Sequence, residues 1–68
     1  MIKYRVIDIN DNYYIRIRLT KGKIRFYILI EKETNKTIIE TFNKNDFLNK
    51  VNKIVDLSNE IKEIIENI

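Results

Sequence analysis

The alternation of apolar and polar residues is clearest between residues 13 and 31, YYIRIRLTKGKIRFYILIE. Because successive side chains of a β-strand point to opposite sides of a sheet, this pattern predicts strands 13–20 and 23–31, joined by a tight turn at Lys21 and Gly22. The predicted apolar side consists of Ile15, Ile17, Leu19, Ile24, Phe26, Ile28 and Ile30. The predicted cationic and aromatic side consists of Tyr14, Arg16, Arg18, Lys23, Arg25 and Tyr27.

Two shorter strands are predicted on either side of this hairpin, at residues 2–9 and 36–42. In the first, apolar and basic residues alternate, with Ile2, Tyr4 and Val6 on one side and Lys3 and Arg5 on the other. The apolar positions change sides at Ile7, which indicates either a bulge or a strand end buried on both sides. Segments 10–12 and 33–36 are rich in turn-forming residues and connect the strands.

A single long helix is predicted over residues 44–67. Asn43 is a favourable N-cap, and Asp46 in the first turn complements the positive end of the helix. Phe42 and Phe47 have the spacing of a hydrophobic staple. The chain is therefore predicted to be one α+β domain, residues 1–68, in which a curved four-stranded antiparallel meander is followed by one helix (ββββα).

The apolar residues of the predicted helix form two groups. The first is Phe47, Leu48, Val51, Ile54 and Val55, and the second is Leu57, Ile61, Ile64, Ile65 and Ile68. At about 100° per residue the second group is rotated roughly a quarter turn from the first. Three explanations remain open: a kink at residues 56–59, a second group that packs on a partner subunit, or one broad stripe on a curved sheet.

The small size of the chain favours the partner subunit. A domain of 68 residues buries only roughly 60% of its unfolded surface and is marginally stable without further support. Cysteine and histidine are both absent from the sequence, which excludes disulfides and the usual zinc sites. The second apolar group is accordingly predicted to form a homodimer interface.

Positive charge is concentrated in the first half of the chain. Residues 1–32 hold eight Lys or Arg against three acids, whereas residues 33–68 hold five against seven. This asymmetry predicts a polyanionic partner at the sheet, single-stranded DNA or RNA, with phosphates on the cations and bases on the rings. The predicted binding residues are Lys3, Arg5, Tyr14, Arg16, Arg18, Lys21, Lys23, Arg25 and Tyr27. The alternative is a cationic face that serves only solubility.

Enzyme chemistry is poorly supplied. The sequence contains no His, the commonest general base, and no Cys, a common nucleophile. It also lacks a phosphate-binding glycine loop. Glu60, Glu63 and Glu66 have helical i,i+3 spacing, but a solvated helix surface is favoured over a metal site. We expect a non-enzymatic protein with no cofactor. It has neither a signal peptide nor an apolar run of about 18 residues, so a cytoplasmic location without membrane binding is expected.

The segment from Tyr14 to Ile64 resembles the positive-coactivator-four family of single-stranded-DNA-binding domains. The resemblance lies in the hairpin with its Lys21-Gly22-Lys23 turn, the short fourth strand, and the helix opening FNKNDF, with Phe47 at a position where the family has tryptophan. The helix residues that keep the family's spacing are Ile54, Asp56, Leu57, Ile61 and Ile64.

This resemblance implies a dimer joined through its helices and a single strand held across the sheets, with Arg18 and Lys23 at basic positions of the family. The chain departs from the family where its stacking aromatics would fall, at Thr20 and Lys32, and where its helix-opening proline is Lys44. An alternative function is a small protein-interaction module, such as a phage- or virus-encoded inhibitor of a host protein. It would use the edge strand 37–42 to extend another sheet.

Overall fold

The computed structural model describes residues 2–68 and, within this range, every side chain except those of Ile24 and Arg25. These residues form β1 (Ile2–Asp8), β2 (Tyr13–Thr20), β3 (Lys23–Glu31), β4 (Lys36–Thr41), α1 (Lys44–Val51) and α2 (Asn59–Glu66). The strands pair antiparallel in the order β1-β2-β3-β4. The predicted α+β class and the four-stranded antiparallel sheet are confirmed.

The hydrophobic core lies between the helical region and one side of the sheet, which we call the inner face. A row of directly paired residues crosses all four strands on this face and comprises Ile7, Ile15, Leu29 and Ile39. The other buried members of the core are Ile17, Tyr27, Phe47, Val51, Val55, Leu57 and Ile65. The opposite side of the sheet, the outer face, is the one that the helices leave uncovered.

The predicted orientation of β3 is wrong. Tyr27 and Leu29 lie on the inner face, opposite Ile17 and Ile15, whereas Phe26, Ile28 and Ile30 lie on the outer face, opposite Arg18, Arg16 and Tyr14. A register shift next to Arg18 and Leu19 displaces the alternation by one residue. The sequence could not decide the orientation because β3 is apolar on both sides, as central strands often are.

The predicted binding set requires Lys3 and Arg5 on the same face as Arg16 and Arg18, and this placement is also wrong. The register from Ile2 to Asp8 is continuous, and Ile7 is fixed in the core opposite Ile15. Alternation then directs the side chains of Ile2, Tyr4 and Val6 to the outer face. The same alternation directs Lys3 and Arg5 to the inner face.

The turns follow from their residue types. Lys21 and Gly22 have φ values of 53° and 76°, the pair of positive angles that a two-residue hairpin loop needs. The side chain of Asn10 accepts hydrogen bonds from the backbone N–H groups of Asn12 (2.8 Å) and Tyr13 (2.9 Å). These local bonds fix the separation of β1 and β2 and therefore the register between them.

The prediction of one long helix is wrong, because the helical region is divided at residues 52–58. The side chain of Asn43 caps α1 by accepting from the Asp46 N–H at 2.9 Å, as predicted. The Ser58 hydroxyl caps α2 by accepting from the Ile61 N–H at 3.2 Å. The break occurs among poor helix formers, close to the predicted kink. It brings both apolar groups, except the exposed Ile54, onto one core.

The predicted staple does not form, since Phe47 is fully buried whereas Phe42 is 78% exposed. The predicted dimer residues also have intramolecular partners. Leu57 and Ile65 are buried in the core of their own chain and cannot form a dimer surface. The remaining members of that group, Ile61, Ile64 and Ile68, are partly buried against the same core.

Candidate nucleic-acid interface on the outer face

The outer face of the sheet combines aromatic, aliphatic and cationic side chains. Its residues on β1, β2 and β3 are Ile2, Tyr4, Val6, Tyr14, Arg16, Arg18, Phe26, Ile28 and Ile30. Arg18 pairs with Tyr4 on one side and with Phe26 on the other, so a ring, a cation and a ring follow one another across three strands. This arrangement comes from the alternation of β2 combined with the register shift of β3.

Both arginines stack on aromatic rings. The guanidinium carbon of Arg16 lies 4.8 Å from the centroid of the Tyr4 ring, and that of Arg18 lies 5.9 Å from the centroid of the Phe26 ring. A cation over an aromatic face contributes about 0.5–1 kcal/mol at an exposed site. These contacts hold both guanidinium groups against the sheet and restrict their rotamers.

The arginines also cover apolar surface. Ile28 and Ile30 are 5% and 1% exposed although both lie on the face without helices. Ile28 is paired with Arg16 and Ile30 with Tyr14, and long side chains of these kinds shield their neighbours with their apolar parts. Toward β1 the face opens, since Tyr4 is 51% exposed.

Neither arginine of this face, Arg16 or Arg18, is held in an ion pair with an acid in the described part of the chain. The Nε atom of each is buried and has no acceptor in that part of the chain. A buried donor without an acceptor is energetically unfavourable, and no described side chain compensates this cost at either arginine.

Two acids, Asp8 of β1 and Glu40 of β4, also lie on this face, and neither is ion-paired to an arginine among the described side chains. Asp8, at the end of β1, forms an ion pair with Lys32. The Tyr14 hydroxyl donates a hydrogen bond of 3.1 Å to the side-chain oxygen of Asn35. Tyr14 is thus held at the edge of the cationic cluster, close to the turn between β3 and β4.

Tyr27 cannot be a binding residue as predicted, because its side chain lies in the core and is only 4% exposed. Its ring centroid lies 5.6 Å from that of Phe47. Burial raises the pKa of the Tyr27 phenol above its ordinary value. A base cannot stack on this ring without unfolding the core.

The remaining predicted cations lie on different sides of the sheet. Lys23 pairs with Thr20 at the outer face and is exposed. Lys3 and Lys21 line a recess of about 340 Å³ with Leu19 and Gly22, on the inner face. The side chain of Arg25 lies outside the described residues.

Arg5 lies in an acidic environment. It lines a cavity of about 320 Å³ together with residues of α2 and of the C-terminal segment that follows it, namely Glu60, Glu63, Ile64, Asn67 and Ile68. The two carboxylates oppose the approach of a phosphate, so the surroundings of Arg5 do not suit the predicted contact with nucleic acid.

Two residues of the outer face were missed by the sequence analysis, Tyr4 and Phe26. Part of their signal was present in the sequence, because both aromatic residues lie next to a cation, Tyr4 between Lys3 and Arg5 and Phe26 after Arg25. The pairing of β1 with β2 and the shift in β3 decide their side, and neither follows from alternation within one strand.

No family model matches the chain, and neither a curated protein nor a solved structure matches it. Within residues 2–68, no helix is long and apolar enough to cross a membrane. The described acids do not gather in a group of three that could hold a metal ion. The geometry of the outer face is therefore the basis on which a function can be argued.

Proposed function

We propose that the outer face binds single-stranded nucleic acid without chemical conversion. The observation that carries this proposal is the pair of guanidinium groups, Arg16 and Arg18, stacked on Tyr4 and Phe26 with no acid paired to either among the described side chains. Phosphates are the polyanion that guanidinium groups bind through parallel hydrogen bonds. The half-exposed ring of Tyr4 and the partly exposed ring of Phe26 lie next to these groups, and aromatic rings provide stacking surfaces for unpaired bases.

The same arrangement disfavours other occupants of this face. A second copy stacked face to face would bring four guanidinium groups together, which repel one another at short range. A DNA duplex offers phosphates but keeps its bases stacked inside, so it gains nothing from Tyr4. Single strands offer both kinds of contact, and they are the ligand that this face fits best.

The binding mode differs from the one implied by the resemblance to positive-coactivator-four domains. The proposed stacking rings are Tyr4 and Phe26, on β1 and β3, and not the positions of Thr20 and Lys32. Lys32 is paired with Asp8. The alternative function, in which β4 extends another protein's sheet, has less support, because a register shift interrupts the pairing of that strand at Ile38.

The test is fluorescence anisotropy with labelled oligothymidylate and a labelled duplex, measured across a salt series. Arg16→Gln with Arg18→Gln removes two charges from the outer face, whereas the control Lys36→Gln with Lys53→Gln removes two from exposed positions elsewhere. If each arginine contacts one phosphate, the arginine variant lowers the slope of log K against log salt by about 1.4. The control leaves the slope nearly unchanged.

A further variant separates charge from folding. Arg16→Lys with Arg18→Lys keeps both charges and most of the apolar cover over Ile28, and should retain the salt-dependent part of binding. Circular dichroism checks that each variant is folded. The proposal fails if the wild-type chain binds no single strand at low salt, or if the folded glutamine variant binds as tightly as its control.

A further inference from the structure

We infer that a single strand bound on the outer face continues around the β1 edge of the sheet and places a phosphate in the recess between Lys3 and Lys21. The inference rests on the proposed function and adds a second contact region to it. It assigns a role to two lysines that the fold separates from the arginines.

The first argument is the position of β1. It is the terminal strand of the sheet, so its outward edge has no neighbouring strand in the described part of the chain. Tyr4 stands on the outer face and is half exposed, whereas its neighbour Lys3 points to the inner face and is exposed as well. A ligand that crosses this edge therefore meets a ring and then an ammonium group within one residue of strand.

The second argument is the recess itself. Its described lining consists of Lys3, Leu19, Lys21 and Gly22, and no helix residue is among them. It has a volume of about 340 Å³, and the charged residues of this lining are two lysines, with no acid among them. The helices leave this end of the inner face open, because α1 packs on β3 and β4. The chemistry of the recess suits a phosphate group.

The third argument is that the other end of β1 is closed to a polyanion. There the inner face carries Arg5, but Glu60 and Glu63 of α2 line the same cavity. Repulsion from two carboxylates directs a phosphate chain away from α2 and toward the hairpin turn. The path over β1 is thus restricted to its first half.

The path also requires a flexible ligand. A DNA duplex has a persistence length of about 150 base pairs and cannot bend around one strand of a sheet, whereas a single strand can. Lys3 and Lys21 should therefore contribute to the binding of single strands that are long enough to turn the edge. They should contribute little to very short strands or to a duplex.

The test compares Lys3→Gln with Lys21→Gln against the control Lys36→Gln with Lys53→Gln, using oligothymidylates of about 4 and about 12 nucleotides, a range typical of single-strand sites. For the long strand we expect the recess variant to lose two phosphate contacts and about 1.4 of the salt slope. The ratio of the wild-type association constant to that of the recess variant should then fall about sevenfold between about 50 mM and about 200 mM salt. For the short strand and a duplex, the recess variant and the control should bind alike.

The outcomes separate the two proposals. If binding depends on Arg16 and Arg18 but the recess variant equals its control at both lengths, the path around β1 is wrong and the outer-face site stands. Equal losses for short and long strands also overturn the path, because they indicate a general charge effect. If the wild-type chain binds no single strand, both proposals are wrong.

Discussion

The guanidinium carbon of Arg16 lies 4.8 Å from the centre of the Tyr4 ring, on the side of the sheet that the helices leave open. The contact joins the edge strand β1 to its neighbour β2 through side chains as well as backbone. It also places a positive charge and an aromatic ring side by side, as the proposed binding of a nucleotide requires. Substitutions of Tyr4 therefore test whether its ring contributes to ligand binding in addition to holding β1 on the sheet.

Replacing Tyr4 by alanine should weaken the binding of oligothymidylate by about 1–3 kcal/mol, the contribution of one base stacked on an aromatic side chain. Tyr4→Phe should bind like the wild-type chain, because it keeps the ring. Tyr4→Leu is the matched control, since it retains apolar surface without an aromatic face. Anisotropy titrations at one fixed salt concentration measure all three, and equal affinity of the leucine and phenylalanine variants would exclude stacking at this position.

Tyr27 should affect stability and its pH dependence rather than ligand binding. Burial raises its pKa, so the folded chain holds the phenolic proton more tightly than the unfolded chain does. The associated stability is fully present below the unfolded pKa of about 10 and is lost as the pH rises through the higher folded value. Urea titrations of the wild-type chain and Tyr27→Phe at neutral pH and above pH ~10 should show a smaller alkaline loss for the variant. An identical loss in both would contradict this assignment.

The contrast between Tyr4 and Tyr27 shows how far the sequence could predict this molecule. Strands β2 and β3 and the α1 cap at Asn43 follow from local patterns, and the structure contains them with the predicted bounds or bonds. The direction of each side chain in β1 and β3 depends on pairing between strands, which local alternation does not encode. Where both sides of a strand are apolar, a shift of one residue moves its side chains from the core to the outer face.

Phe47 and Phe42 provide a direct test of where the helical region joins the sheet. Phe47→Ala should destabilise the chain by about 3–5 kcal/mol, because it removes a fully buried ring that packs on Tyr27. Phe42→Ala should change the free energy of unfolding by less than about 0.5 kcal/mol, since Phe42 is 78% exposed. Urea unfolding measures both, and comparable losses would indicate that Phe42 packs as the predicted staple.

Gly22 is required for its backbone conformation and not for packing. A Cβ atom at this position would have no neighbour within 4 Å, but the φ of 76° is unfavourable for a residue with a side chain. Gly22→Val should therefore destabilise the hairpin by roughly 1–2 kcal/mol. Gly22→Asn should lose less, because asparagine adopts this conformation more readily. A valine variant as stable as the asparagine variant would show that the turn takes another form.

Substituting Ser58 distinguishes two separate helices from one continuous helix. The two arrangements predict opposite signs for the change in the free energy of unfolding. In the divided structure the Ser58 hydroxyl caps α2, and Ser58→Ala should lower the free energy of unfolding by about 1 kcal/mol. In a continuous helix the same residue would be internal, and alanine, the strongest helix former, would stabilise the chain by a few tenths of a kcal/mol or more. Ser58→Asp is the control, since it restores a capping acceptor and should recover the stability of the wild-type chain. Urea unfolding of the three proteins gives the sign directly, and a gain with alanine together with a loss with aspartate would establish the continuous helix.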